Sequence, residues 1–243
     1  MSNDRAYIHE FITITKHNRA KYMHHMTANW SPIGQEQRNQ LCYGVWGVVG
    51  STGHWPQVVN LWEHESLAGL AASFETEFAG PTLQDPALAK WWAAAADLRA
   101  GGYDRIVLPH PATAPIADLC AADAGAPVYA HEVIDVAPGA APGFLDLCVS
   151  AASGATDRFG WRLIGAFRTA MHADDEVILL WAIPSWDAWA DAEQALTAGK
   201  AALLGEPEAA VVGRHRILLV DAPLSPLRTG RQPIREDRTD WID

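Results

Sequence analysis

Cysteine is scarce in this chain: Cys42, Cys120 and Cys148 stand far apart, and none belongs to a Cys-x-x-Cys spacing. An odd, scattered set supports neither a disulfide framework nor a thiolate zinc site. Basic residues are also in deficit, 18 Lys and Arg against 29 Asp and Glu, for a formal charge of −11. That balance repels a phosphate backbone, and no Lys/Arg cluster interleaves with aromatics to offset it, so no nucleic acid is expected as a partner. No apolar run approaches the roughly 18 residues a membrane-spanning helix needs, and no membrane partner is expected. The start Met-Ser-Asn-Asp-Arg lacks the order of a secretion signal, so a cytoplasmic location is expected. There is no Gly-rich phosphate loop, no His-Glu-x-x-His pair and no nucleophile elbow. The expectation is therefore no metal and no tightly bound cofactor.

What the chain does have is an internal echo. Tyr7-Ile8-His9-Glu10-Phe11-Ile12 returns 122 residues later as Tyr129-Ala130-His131-Glu132-Val133-Ile134. Tyr43-Gly44-Val45-Trp46 answers to Ile164-Gly165-Ala166-Phe167 at an offset of 121, and the string ending at Trp62 answers to the one ending at Trp181 at an offset of 119. Arg105-Ile106-Val107-Leu108 aligns with Arg216-Ile217-Leu218-Leu219 at an offset of 111. Each block is short, rich in β-branched and aromatic residues and bounded by turn formers, which predicts a strand. Helical spacing predicts helices over 18–30 and 142–153, and Ser66 and Ser185 stand as N-caps before alanine-rich runs. The order is β-α-β-β-α-β twice, an α+β chain of two tandem ferredoxin-like units closing into one pseudo-twofold barrel.

An extra helix is predicted in the first unit, capped by Asp85, begun by Pro86 and ended by Gly101-Gly102, with Trp91-Trp92 packing it down. The boundaries read as 1–110 for the first half, 111–127 for a linker, 128–222 for the second half and 223–243 for an extended arm. That arm is expected in solvent, or anchored by Trp241 on another subunit of a homo-oligomer.

The string Val58-Val59-Asn60-Leu61-Trp62-Glu63-His64-Glu65-Ser66-Leu67, together with His9-Glu10-Phe11 and Tyr22, resembles the NIPSNAP family of the dimeric α/β-barrel superfamily. The similarity spans most of 7–108 and fades in the second half, where Ala182 and Pro184 replace the acids. It implies a ferredoxin-like fold, with any ligand held in the lumen or between sheet and helices. The superfamily includes cofactor-free monooxygenases, haem-dependent dehydratases, chlorite-degrading enzymes and polyketide cyclases, so the resemblance does not choose a reaction.

Alternate strand residues share a face, so Tyr7, His9 and Phe11 lie together, opposite Ile8, Glu10 and Ile12. If the apolar set meets the helices, His9 and His131 enter the lumen with Tyr7 and Tyr129, where imidazoles serve as acid/base groups or simply hold a carbonyl. Glu10 and Glu132 then lie on an apolar face and need compensation. The reading preferred is ion pairing of Glu10 with Arg105 and of Glu132 with Arg216; the alternative is a general base. Asn60, Trp62 and His64 form a further wall, and Tyr43, Trp46 and Trp181 complete the candidate substrate contacts. The run Tyr22-Met23-His24-His25-Met26 could ligate haem, but adjacent helical histidines point about 100° apart and a solvated face is preferred.

The sequence thus points to an enzyme acting on a small apolar or aromatic molecule: a lyase, isomerase, cyclase or cofactor-free oxygenase with His9 moving a proton, helped by Glu10 or His64. The alternatives are a non-catalytic binding or scaffold protein and a haem enzyme.

Overall fold

The computed structural model describes residues 3–171, 174–205, 207 and 210–238. Eight strands form a closed barrel: β1 (Ala6–Ile14), β2 (Gln40–Val48), β3 (Gln57–His64), β4 (Arg99–Pro109), β5 (Val128–Val136), β6 (Arg162–Thr169), β7 (Glu176–Ile183) and β8 (Val211–Asp221). Around the barrel the order is β1-β3-β2-β8-β5-β7-β6-β4, with every neighbouring pair antiparallel. Each half contributes four adjacent strands, and the halves meet where β2 pairs β8 and β4 pairs β6. The two seams are short, three residue pairs each, so beyond them β2 and β4 run without a second strand neighbour.

Helices α1 (Arg19–His24) and α2 (Ser31–Arg38), joined by a π-helical turn over His25–Trp30, pack on the outside of the first half with α3 (Leu67–Phe78) and α4 (Ala89–Ala96). The second half carries α6 (Ala141–Phe159) and α7 (Trp186–Thr197). Ser66 and Ser185 cap α3 and α7, accepting from Gly69 N at 3.1 Å and from Ala188 N at 3.0 Å. No helix among the described residues is long and apolar enough to cross a membrane.

The lumen is packed solid. Tyr7, Phe11, Trp46, Val59, Leu61, Tyr129, Phe167, Leu180 and Ile217 form one buried cluster, as the inward residues of a narrow eight-stranded barrel do. Glycine is required where these rings cross the wall. A Cβ on Gly44 would lie 2.1 Å from the Trp46 ring, and one on Gly165 would lie 2.5 Å from Phe167. Both positions follow a register shift in the strand, so the same bulge turns an aromatic side chain inward in each half.

Several expectations change. The segment 111–127 is not a bare linker: it contains α5 (Ile116–Ala121), whose Ile116 and Leu119 plug the lumen. The Glu63 carboxylate holds this plug by accepting Ile116 N–H at 3.0 Å. The arm does not run free through its described part either. It forms α8 (Pro226–Thr229), buries Leu227 against the lumen cluster, and clasps β2 where the Gln232 side chain donates to Cys42 O at 2.7 Å and accepts from Cys42 N at 2.9 Å. Trp241 lies outside the described residues. Gly101-Gly102 ends no helix. Both belong to β4, where a Cβ on Gly102 would sit 2.4 Å from Phe11 O.

Candidate functional site

The strand faces fall as the alternation predicts. His9 and His131 point inward and meet at the barrel centre, Nε2 to Nε2 at 2.8 Å, flanked by the edge of Phe11. Burial pushes the pKa of both below the ordinary histidine value, that of His131 to about 3, and Arg105 deepens the effect. They are neutral at pH 7. One donates to the other, and both are buried, His9 at 1% and His131 at 3% exposure. Tyr7 donates to Glu63 at 2.9 Å, Tyr129 donates to Asp221 at 2.6 Å, and Tyr43 donates to Ile164 O at 2.5 Å. The lumen histidines, Tyr7, Phe11, Tyr43, Trp46 and Tyr129 are therefore buried in the barrel core.

The space for a ligand lies on the other face of the sheet. A cavity of about 460 Å³ opens between the first half's strands and its helices. Ile8, Glu10 and Trp62 form its floor, and Trp30, Phe74, Phe78, Trp91 and Trp92 wall it. Gln40, Arg99 and Asp104 also line it. The π-helical turn carries Met26 and Trp30 into this wall, a role such turns often take at functional sites.

At the floor, the Glu10 carboxylate accepts Trp62 Nε1–H at 2.7 Å and Asn60 Nδ2–H at 2.8 Å, and the same Asn60 amide donates to Tyr22 OH at 3.0 Å. Desolvation, then the neighbouring charge of Asp104, raises the Glu10 pKa to about 7, against the pull of its two donors and of Arg99. The Asp104 carboxyl is raised too, mainly by desolvation. Such a carboxyl is half ionised near neutrality, which suits it to take a proton from a bound molecule.

The ion pair expected between Glu10 and Arg105 does not form. In the barrel register His9 stands opposite Arg105 and Glu10 opposite Asp104, whereas Glu132 stands opposite Arg216. Arg105 corresponds to Ile217, one place from the match the sequence blocks gave, and that single step turns it inward. It pairs with Glu176 at 3.0 Å. The pairing of Glu132 with Arg216 does form, through Nε at 2.9 Å and Nη2 at 2.7 Å.

The two halves thus share a glutamate–tryptophan hydrogen bond, Glu132 accepting from Trp181 Nε1 at 2.8 Å, but differ in what surrounds it. In the second half Arg216 neutralises the acid, Leu179 stands where Asn60 would, and Trp161 is buried against Trp181 and Arg216. The register puts Gln40 of the first half in the place of Trp161. There the smaller side chain leaves room for the cavity.

His64 lies behind this wall. Its Nε2 is 3.2 Å from the Gln40 amide, which also accepts from Trp30 Nε1 at 3.1 Å. Burial and then the Arg38 charge lower its pKa to about 4, so it acts as a neutral support for Gln40. His25 is not on a solvated helix face: its ring stacks on Trp91 at 4.9 Å and 14°. Asp104, Arg99, Gln40 and Trp30 escaped the sequence reading. Only cross-strand register brings Asp104 to Glu10, and the Trp91-Trp92 pair was the one local sign of an aromatic wall.

Among the described residues no three His, Cys, Asp or Glu side chains gather as a metal site. A haem, which part of the superfamily uses, does not fit this cavity. Its lining offers no imidazole or thiolate for an axial position, and its floor is an acid pair.

No protein-family model matches the sequence, and no curated protein is similar to it. Solved structures are. An anthrone oxidase-like protein superposes with a TM-score of 0.59 at 13% identity, over 91% of this chain and 93% of that one. A Fusobacterium nucleatum protein provisionally described as a monooxygenase gives 0.56 at 11% identity, over 91% and 94%. A mutant chlorite dismutase from Candidatus Nitrospira defluvii gives 0.52 at 9% identity, over 95% and 96%. At these identities the likeness is one of architecture, and it agrees with what the NIPSNAP-like strings imply: this chain has the dimeric α/β-barrel fold.

Proposed function

We propose that this chain is a cofactor-independent enzyme that binds an apolar, aromatic small molecule in the first-half cavity and removes a proton from it with Glu10. The observation that carries this reading is the Glu10 carboxyl forming the floor of an aromatic cavity with no cation in ion-pair range among the described residues; burial and Asp104 push its pKa up to about 7. The same glutamate in the other half is neutralised beneath packed tryptophans. We read this contrast as a tandem duplication, with halves at 1–110 and 128–222, in which one copy kept a site and the other became scaffold. Trp62 and Asn60 orient Glu10 and stabilise its anion, and Trp30, Trp91 and Trp92 hold the ring system. His9, His131 and Glu132 keep the barrel closed and take no part in proton transfer.

The architectural neighbours include an anthrone oxidase-like protein and one described as a monooxygenase, so oxygenation of a carbon acid is favoured over lyase, isomerase or cyclase chemistry. Anthrone is the fitting probe. Loss of a proton from its methylene carbon to Glu10 leaves an enolate that gives its electrons to dioxygen. One anthrone and one dioxygen then yield one anthraquinone and one water. Dioxygen uptake with anthrone should be enhanced by the protein and fall about 100-fold in E10Q, while quenching of tryptophan fluorescence shows the variant still binds. Binding without turnover in both proteins would leave a ligand carrier; no binding would leave a scaffold.

A further inference from the structure

Glu10 is partly exposed to the open cavity; a substrate seated there covers it, so its proton then needs another path to water. Its Oε2 is occupied by Trp62 and Asn60, and neither donor carries a proton away at neutral pH. The charged and titratable groups around it are Asp104 and Arg99 from β4 and Tyr22 from α1, with Arg105 from β4 and Glu77 from α3 also lining the cavity. Tyr22 is fully buried and its hydroxyl is held protonated. Arg99 lies over the Trp92 ring at 5.1 Å, and a guanidinium offers donors but no acceptor for a proton. Asp104 alone combines three properties. It is the cross-strand neighbour of Glu10, it lines the same cavity, and it is exposed to solvent. Directly opposed residues of antiparallel strands have Cβ atoms about 4.5–5.5 Å apart, a span two carboxyl side chains close by direct contact or through one water.

We propose that Asp104 is the proton relay between Glu10 and solvent. This rests on the reading of Glu10 as the base. After Glu10 has taken the substrate proton, its O–H bond breaks as an O–H bond forms on the Asp104 carboxylate, and Asp104 passes that proton to water or buffer. Glu10 returns to its anion while the cavity is still occupied. The second half needs no such path, and Arg216 fills the corresponding place.

The test separates bond breaking from proton escape. Under nitrogen in D2O, the protein should wash deuterium into the anthrone methylene, because the proton on Glu10 exchanges through Asp104 before it returns. In D104N the wash-in should fall about tenfold or more. Added imidazole should restore it, and D104E should keep most of it. Wash-in equal to wild type in D104N, or a loss that small buffers do not rescue, overturns the relay. A second readout needs no turnover: in 13C-NMR of the Glu10 carboxyl, D104N should move the titration midpoint downward, because a neighbouring negative charge has been removed. An unmoved midpoint also overturns the proposal. If instead E10Q exchanges and oxidises anthrone as fast as wild type, it is the assignment of Glu10 as base that has failed.

Discussion

Glu10 faces Asp104 across the β1–β4 pairing, two carboxyls lining one cavity, and nothing within ion-pair distance among the described residues neutralises Glu10. A fold selected for stability alone would place a cation there, as this chain does at Glu132. Strain of this kind is what a site costs its protein.

That contrast predicts opposite responses to similar changes. E10Q should leave stability at pH 7 within about 1 kcal/mol of wild type or raise it, because the amide keeps the packing and removes a charge the fold disfavours. R216M should lower stability by about 2 kcal/mol, since it takes the closer of two arginines from a fully buried Glu132 carboxylate and leaves Arg214 Nε at 3.4 Å. Urea denaturation of the two variants checks both, and a destabilised E10Q would mark Glu10 as scaffold.

Trp62 donates to the charged form of Glu10, so removing that donor favours the neutral acid. W62F should move the Glu10 midpoint above its value of about 7, shifting the low-pH limb of the pH–rate profile to higher pH. This is the opposite direction to D104N. A profile that W62F leaves in place would show that Glu10 does not set the limb.

Stability should fall as the solution is acidified below pH 6.5. His131 and His64 have folded pKa values lowered to about 3 and about 4, so the neutral ring is the native form. Their contribution is complete above the unfolded value of 6.5 and is lost as pH falls toward the folded values. Glu10 and Asp221, raised to about 7, act oppositely: the fold prefers their protonated forms, a contribution present below their unfolded values and lost as pH rises through about 7. Between pH 6.5 and 4.5 the two sets oppose each other. E10Q should therefore steepen the acid loss and H64Q should flatten it, measured as urea midpoints at a series of pH values.

The two bulge glycines, Gly44 and Gly165, are open to a direct check. G44A brings a Cβ within 2.1 Å of the Trp46 ring, which is confined in the filled lumen. G44A and G165A should each cost about 1–3 kcal/mol by overpacking, read as a lowered Tm. A neutral G44A would mean the lumen has slack the structure does not show.

The sequence by itself determined the strands, the two serine caps and which residues share a strand face. Those follow from local pattern: β-branched blocks of period two, and a serine before an alanine-rich run. Tyr7-Ile8-His9-Glu10 needs no tertiary information to set His9 against Glu10, since adjacent strand residues always point apart. Only the tertiary structure decided which of the two turns into the lumen and which lines the open cavity. His9 occupies the inward face, but a narrow eight-stranded barrel fills its own lumen with Trp46, Phe167 and their neighbours, and this filling is a property of closure that no segment carries. The partner of Glu10 was out of reach for a related reason. The blocks Arg105 and Arg216 head look equivalent, but pairing registers differ from string similarity by one residue, and with a side-chain period of two that one residue exchanges an arginine for Asp104. The site arises from that exchange, and from Gln40 standing where the other half holds Trp161.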